Sequence, residues 1–216
     1  MRHLPLYLLL LPLVACTDRM APSDDRWSRG GELIAMSGGE AGARYACVSC
    51  HGARGEGNGF DAPRLAGLPA GYLQKQMEDY AAGLRPHAVM RDVARFLDSH
   101  ERVRVANYYA ALPVPALAAS ASSAAGAPPA ATAALYVRAC QQCHGVQGEG
   151  TPLGPPLAGQ PATYLAQQLR DWQVSKRRND GNHQMLKVAQ ALKPEEVDGL
   201  SRHLAQTPPR PAGPAR

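Results

Sequence analysis

The sequence is poor in the residues that favour β-sheets. It contains a single isoleucine among its 216 residues, and no stretch alternates polar and apolar residues as a half-buried strand does. Alanine and leucine instead dominate the segments with periodic hydrophobicity, and both residues are strong helix formers. The sequence therefore predicts an all-α protein.

Long apolar runs and long basic runs are also missing. The apolar run from Leu4 to Val14 is too short to span a bilayer as a helix. The formal net charge is +5, but the Lys and Arg residues are scattered, with no run longer than Lys176-Arg177-Arg178. No nucleic-acid partner is therefore expected.

The N-terminus resembles an export signal. A short basic start at residues 1–3 precedes the apolar run, which ends in Leu13-Val14-Ala15-Cys16. This ending resembles the lipobox of bacterial lipoproteins, so we predict a signal peptide at residues 1–15 and lipid attachment to Cys16. An ordinary secretory signal with an incidental cysteine is the alternative. Either signal delivers the chain to an oxidising compartment, the periplasm.

Cysteine is scarce after Cys16, and the remaining four occur in two nearly identical segments. These segments read CVSCHGARGEG at residues 47–57 and CQQCHGVQGEG at residues 140–150, an offset of 140 minus 47, or 93 residues. Similar segments follow each motif, PRLAG at 63–67 and PPLAG at 155–159, which indicates a duplicated domain.

The duplication sets the predicted domain boundaries. In residues 113–130, 16 of 18 are Ala, Ser, Gly or Pro, a composition typical of a flexible linker. The predicted parts are a signal peptide at 1–15, a disordered tether at 16–30, a first domain at 31–112, the linker at 113–130, a second domain at 131–207 and a disordered tail at 208–216.

The CxxCH pattern is the signature of covalent haem c attachment. Two cysteines three positions apart lie about one helical turn from each other, and the histidine that follows can ligate the iron. The sequence predicts two covalently bound haem c groups. Their thioether residues are Cys47, Cys50, Cys140 and Cys143, and their iron-ligating histidines are His51 and His144.

Three other uses of CxxC pairs fit this sequence less well than haem attachment does. A zinc site normally keeps its two pairs close, whereas Cys50 and Cys140 are separated by 90 positions. A thioredoxin-like pair belongs to a fold with parallel strands, which this sequence does not predict. Neither these uses nor structural disulfides explain a histidine directly after the second cysteine in both copies.

The second axial ligand of each iron is predicted to be a methionine. Met90 and Met185 correspond in the repeat, since each is followed by Val-Ala at the third and fourth positions. His87 and His183 lie nearby and are alternative ligands. Two other methionines are less suitable, because Met77 lies on a predicted core stripe and Met36 has no counterpart in the second copy.

Residues 31–207 resemble the tandem dihaem cytochromes c of the cytochrome c4 family, which have two class I cytochrome c domains. The resemblance lies in CxxCHG, in PxLAGQxxxYL and in the loop methionine, although Leu68 stands in the first copy where the motif has glutamine. It implies that the carbonyls of Pro63 and Pro155 accept hydrogen bonds from the iron-ligating imidazoles. It also implies close domain packing with haem propionates at the interface, which the linker permits without requiring it.

The expected function follows from the resemblance and the export signal. We expect a lipid-anchored periplasmic carrier of single electrons, without a small-molecule substrate, that links a quinol-oxidising complex or dehydrogenase to a terminal oxidase or reductase. Its partners would be membrane respiratory complexes. One alternative is a dedicated cytochrome subunit of a dehydrogenase or sulfur-oxidising complex. A dihaem peroxidase is a further alternative, but it needs an iron with an open coordination position.

Overall fold

The computed structural model describes residues 23–116 and 128–210, with side chains from residue 30 onward. These ranges are helical and contain no β-strand, which confirms the predicted fold class. None of the helices in these ranges has the length and apolarity to cross a membrane. The predicted signal peptide, Cys16, residues 117–127 of the linker and residues 211–216 of the tail lie outside the described residues.

Within the described residues, each copy of the repeat contains five α-helices in the same order, and short 3-10 helices lie at Gly39–Ala41, Ala43–Tyr45 and Gly181–His183. A first helix precedes the short helix of CxxCH, and three further helices follow it. In the first domain these are α1 (Ser23–Ser37), α2 (Val48–His51), α3 (Ala70–Ala82), α4 (Ala88–Phe96) and α5 (Ser99–Ala111). In the second domain they are α6 (Ala130–Ala139), α7 (Gln141–His144), α8 (Ala162–Gln173), α9 (Gln184–Gln190) and α10 (Pro194–Gln206).

Local signals in the sequence explain where several helices begin. Helices α3 and α8 each start directly after a proline, Pro69 and Pro161. Helix α5 starts with a capping box, in which Asp98 accepts a bond from Glu101 N–H at 2.7 Å and Glu101 accepts one from Asp98 N–H at 2.9 Å. These exchanges satisfy backbone donors that a helix start otherwise leaves unpaired.

The predicted apolar stripes form the core of each domain. In the first domain Met77 is buried as a core residue, as predicted, whereas Met36 is exposed on α1. The other buried stripe residues are Leu73, Tyr80, Val105 and Tyr109 in the first domain and Leu165, Trp172, Val197, Leu200 and Leu204 in the second.

The first domain begins earlier than predicted. Helix α1 starts at Ser23, inside residues 16–30, for which we predicted disorder. It packs against α5, and a Cβ atom at Gly31 would lie 2.2 Å from the carbonyl oxygen of Arg104. Gly31 therefore allows a close approach of the two helix backbones, a use of glycine that composition alone does not reveal.

The predicted linker and tail begin as packed segments. A Cβ atom at Gly67 would lie 2.3 Å from Val114 Cγ2, and one at Gly159 would lie 2.8 Å from Pro209 Cγ. The first residues of each segment thus cover the PxLAG loop of their own domain. The first residues of the predicted flexible linker and of the predicted disordered tail thus lie against their domains through short apolar contacts.

Candidate haem attachment sites

The first CxxCH motif lies on a single helical turn. His51 N–H donates to the Cys47 carbonyl at 2.9 Å, and the His51 side chain is only 8% exposed. The ring Nδ1–H donates to the Pro63 carbonyl at 2.8 Å. Because a carbonyl can only accept, this bond selects the tautomer whose Nε2 lone pair is available to a metal ion.

The second motif repeats this geometry. His144 is 7% exposed, and its Nδ1–H donates to the Pro155 carbonyl at 2.8 Å. Burial lowers the pKa of His51 and of His144, so both rings favour the neutral form that binds metals. The hydrogen bonds implied for Pro63 and Pro155 are present in both copies, while iron ligation stays a prediction.

The cysteines do not suit the other uses of CxxC pairs. Burial raises the pKa of Cys47 and of Cys140 to about 11, whereas a thioredoxin-like pair requires a cysteine with a lowered pKa. No disulfide joins Cys47, Cys50, Cys140 or Cys143. Residues 23–116 and 128–210 contain no group of three or more His, Cys, Asp or Glu side chains placed to hold a metal ion.

The glutamate of the repeated GEG segment has a structural role that sequence reasoning missed. Glu56 accepts a bond from Arg54 N–H at 2.8 Å, and Glu149 accepts bonds from Val146 and Gln147 N–H at 3.2 and 2.6 Å. Bonds to backbone N–H groups lower the pKa of Glu56. Each carboxylate therefore fixes the turn that follows the histidine.

Met90 lies in the first turn of α4 and is half-buried against the core of the first domain. The alternative ligand His87 precedes this helix and caps it, because its Nδ1 accepts a bond from Met90 N–H at 3.2 Å. One ring nitrogen of His87 is thus engaged in holding the backbone of Met90. This arrangement favours Met90 over His87 as a ligand.

Met185 occupies the equivalent place in the first turn of α9 and is also half-buried. The alternative ligand His183 is exposed and adopts a left-handed backbone with φ of 56°. The loops before the two methionines differ, since residues 83–87 connect α3 to α4 but residues 174–183 connect α8 to α9. The longer loop reaches the first domain, where Arg178 N–H donates to the Leu84 carbonyl at 3.0 Å.

A ring of two arginines and two glutamines joins the domains. Arg85 donates to Gln76 Oε1 at 2.9 Å and to Gln168 Oε1 at 2.7 Å. Arg177 donates to Gln168 Oε1 at 2.8 Å and to Gln76 Oε1 at 3.1 Å. Sequence reasoning missed this ring, although 168 minus 76 and 177 minus 85 both equal 92, close to the repeat offset. The domains are thus in direct contact despite the linker.

The ring buries positive charge, and among the residues that the structure describes no carboxylate is bonded to either guanidinium. Burial and the charge of Arg85 lower the pKa of Arg177. Two further donors, Arg85 Nε and Trp172 Nε1, are buried without an acceptor. Haem carries two carboxylates, so unpaired donors in the interior suit it. Together with the two buried CxxCH histidines, whose Nδ1–H groups are held by proline carbonyls, these donors define a c-type haem protein.

The comparison with protein families agrees with this class. The model of the cytochrome c family matches residues 36–108 and 129–208, so each matched segment contains one CxxCH motif. The chain belongs to the cytochrome c family, whose members bind haem c covalently and transfer electrons.

Two groups of curated relatives match most of the chain. The thiosulfate dehydrogenase electron acceptor of Stutzerimonas stutzeri (strain A1501) is 37% identical over 193 residues, which cover 85% of this chain and 88% of the relative. Cytochrome c4 of Pseudomonas aeruginosa is 30% identical over 181 residues, which cover 79% of this chain and 90% of that protein.

The solved structures similar to this chain belong to the same two groups of proteins. The thiosulfate dehydrogenase (TsdBA) of Marichromatium purpuratum matches with a TM-score of 0.70 and 34% identity over 84% of this chain, which spans only 40% of that protein. Reduced cytochrome c4 of Pseudomonas stutzeri matches with a TM-score of 0.64 and 26% identity, over 83% of this chain and 97% of the other.

Proposed function

We propose that this protein is a dihaem cytochrome that accepts electrons from a thiosulfate dehydrogenase. The observation that carries the proposal is the 37% identity, over 85% of the chain, to a protein named as an electron acceptor of that enzyme. The likeness to a fragment of a thiosulfate dehydrogenase structure is further support. Of the functions expected from the sequence, the cytochrome of a sulfur-oxidising system is therefore favoured over a general respiratory carrier.

Each half of the chain has the residues to hold one haem c. Cys47 and Cys50, and likewise Cys140 and Cys143, would form the thioether bonds. His51 and Met90 would ligate the first iron, and His144 and Met185 the second. When bound, haem supplies an iron that changes between ferric and ferrous states. The protein holds the imidazoles through Nδ1 and keeps the rings out of water.

Methionine ligation fits a carrier better than a dihaem peroxidase. Thioether ligands favour ferrous iron and give a higher potential, whereas a peroxidase needs a position that substrate can occupy. Met90 and Met185 lie in the first turn of equivalent helices in the two domains. With Met90 and Met185 as ligands, neither site would offer a position to a substrate, and the chemistry that the bound groups would supply is electron exchange.

The proposed location is the periplasm, with Cys16 as a lipid attachment site. Both proposals depend on the sequence of residues 1–16 alone. A lipid anchor would keep the cytochrome near membrane partners and raise its effective concentration there. Growth with labelled palmitate and a Cys16→Ser variant would test the anchor, since only the wild-type chain should carry the label.

Stopped-flow spectroscopy tests the proposed function. The oxidised cytochrome is mixed with thiosulfate and a thiosulfate dehydrogenase, and the absorbance of the haems is followed. We expect both haems to be reduced only when enzyme and thiosulfate are both present. If the haems stay oxidised in that mixture but are reduced by a quinol-oxidising complex, the general respiratory carrier is the better assignment.

A further inference from the structure

The PxLAG loops of the two domains meet through a side chain that bonds to the backbone of one residue. The Gln160 amide in the second domain uses both of its ends on Arg64 in the first domain. Oε1 accepts a bond from Arg64 N–H at 2.9 Å, and Nε2 donates to the Arg64 carbonyl at 3.0 Å. Gln160 is 3% exposed and Arg64 is 2% exposed, so water does not compete for these bonds.

The Arg64 N–H belongs to the same peptide group as the Pro63 carbonyl, which accepts the bond from His51 Nδ1–H. A continuous chain of hydrogen bonds therefore runs from the His51 ring through one peptide group to Gln160. Hydrogen bonds on the two sides of an amide polarise each other and become stronger together. The bond from Gln160 thus makes the Pro63 carbonyl a better acceptor for the histidine.

Arg64 also fixes this peptide group through its side chain. Its guanidinium donates to the carbonyl of Ala66 in its own domain and, at 3.2 Å, to the carbonyl of Ala158 in the second domain. Both PxLAG loops are therefore attached to one residue. The peptide group cannot turn away from His51 without breaking bonds to both domains.

The second histidine has no equivalent connection. Its acceptor is the Pro155 carbonyl, and the next residue is Pro156, which has no N–H to donate. The position that corresponds to Gln160 in the first domain is Leu68, which has no polar side-chain atom. The hydrogen-bond chain thus reaches His51 but not His144, and it connects the second domain to the first.

We propose that Gln160 is a positioning residue for His51, so that the second domain sets the potential of the haem bound by the first. This inference rests on the proposed ligation of iron by His51. A stronger acceptor for Nδ1–H gives the imidazole more anionic character, which stabilises ferric iron and lowers the potential. Removing the Gln160 bonds therefore raises the potential of the first haem and leaves the second unchanged.

The test is a potentiometric titration of Gln160→Leu with absorbance detection. Substitution of Met90 or Met185 assigns each of the two waves to a haem. We expect the wave of the first haem to move to a more positive potential in Gln160→Leu. The matched control is Gln168→Leu, which removes an interface glutamine that contacts no peptide group bonded to a histidine.

A gain of the same connection in the second domain is a complementary test. The double variant Pro156→Ala, Leu68→Gln supplies the missing N–H and the missing acceptor, and we expect the second haem to titrate at a lower potential. If Gln160→Leu does not accumulate, Gln160→Asn replaces it, because its shorter side chain cannot make both bonds.

Two results would overturn the proposal. One is an unchanged first wave in Gln160→Leu or Gln160→Asn, and the other is an equal shift in Gln168→Leu, which would assign the effect to general loosening of the interface. Covalent haem is counted in every sample by its pyridine complex. A wild-type protein with fewer than two haems would instead contradict the proposed function.

Discussion

The two histidines have the same immediate hydrogen bond but different surroundings. Around His144 the bonds remain within the second domain, where Tyr136 Oη–H donates to the Gly145 carbonyl at 2.6 Å and Thr151 donates to the Cys143 carbonyl at 2.6 Å. Around His51 the supporting peptide is held by the other domain. A duplicated site can therefore keep the same histidine-to-carbonyl bond while the hydrogen bonds around that pair diverge, so the two copies are not equivalent.

The divergence is complementary across the interface. Arg64 has the N–H that Pro156 lacks, and Gln160 has the acceptor that Leu68 lacks. Arg64 and Gln160 form the polar pair, and the equivalent positions in the other copies are Pro156 and Leu68. Both of these apolar residues are buried. An unpaired glutamine or N–H in such a buried place would cost about 1–3 kcal/mol, so each copy avoids the group that its partner could not satisfy.

Of the changes predicted here, removal of one haem should produce the largest difference between the two domains. We expect Cys47→Ala, Cys50→Ala and Cys140→Ala, Cys143→Ala each to retain one covalent haem, measured by mass spectrometry. Because Gln160 belongs to the second domain, loss of the second haem should change the potential of the remaining haem more than loss of the first haem does. An unchanged first haem in the second variant would show that the domains act independently.

The methionine ligands should give the next largest effect. Met90→Ala and Met185→Ala are each expected to remove the weak far-red sulfur-to-iron band of one haem and to lower its potential, because a thioether favours ferrous iron. Absorption spectra of the oxidised proteins measure the band. A variant with an unchanged spectrum would transfer the assignment to His87 or His183.

The helix crossing in the first domain should be more sensitive to side-chain size than that in the second. In Gly31→Val, the new Cβ would meet the Arg104 carbonyl at 2.2 Å, and we expect a loss of about 3 kcal/mol in the free energy of unfolding. Gly199→Ala is the control in the second domain, since its Cβ would lie 3.3 Å from Thr132 Oγ1. Chemical denaturation followed at the haem absorbance measures both, and equal losses would contradict the prediction.

The arginine ring should contribute to the stability of both domains. Gln76→Leu removes one of the two glutamine acceptors that Arg85 and Arg177 share, so we expect a loss of about 2 kcal/mol from unsatisfied buried donors. Gln74→Leu on the same helix is the control, because Gln74 bonds to Glu78 within that helix. Differential scanning calorimetry should show a lower unfolding temperature for Gln76→Leu alone.

The smallest expected effect is the pH dependence that His203 contributes in the second domain. His203 lies edge-on to Tyr136 at 5.9 Å, and burial lowers the pKa of His203 from its ordinary value of 6.5. The unfolded chain then binds the proton more readily, so stability is complete above about pH 6.5 and falls as the pH decreases below it. In His203→Phe this part of the slope should vanish from unfolding temperatures measured between pH 5 and pH 8; an unchanged slope would exclude His203 as its source.

The histidines, cysteines and helix starts could be predicted because each depends on neighbours in the sequence. Covalent attachment requires a fixed spacing, and proline or a capping box marks a helix start wherever the helix later packs. The partnership of Arg64 with Gln160 could not be predicted in this way. Leu68 is visible as a departure from the motif, but its meaning depends on how Arg64 and Gln160, which are 96 positions apart, meet.

The arginine ring also bears on how the chain originated. Exchanging Gln76 with Gln168 and Arg85 with Arg177 converts each of its four bonds into another bond of the same ring. That exchange symmetry is the property of an isologous interface, which two identical subunits form about a two-fold axis. The ring is therefore what a symmetric homodimer of a one-haem ancestor would contain, and fusion of its genes would have freed Arg64 and Gln160 to differ.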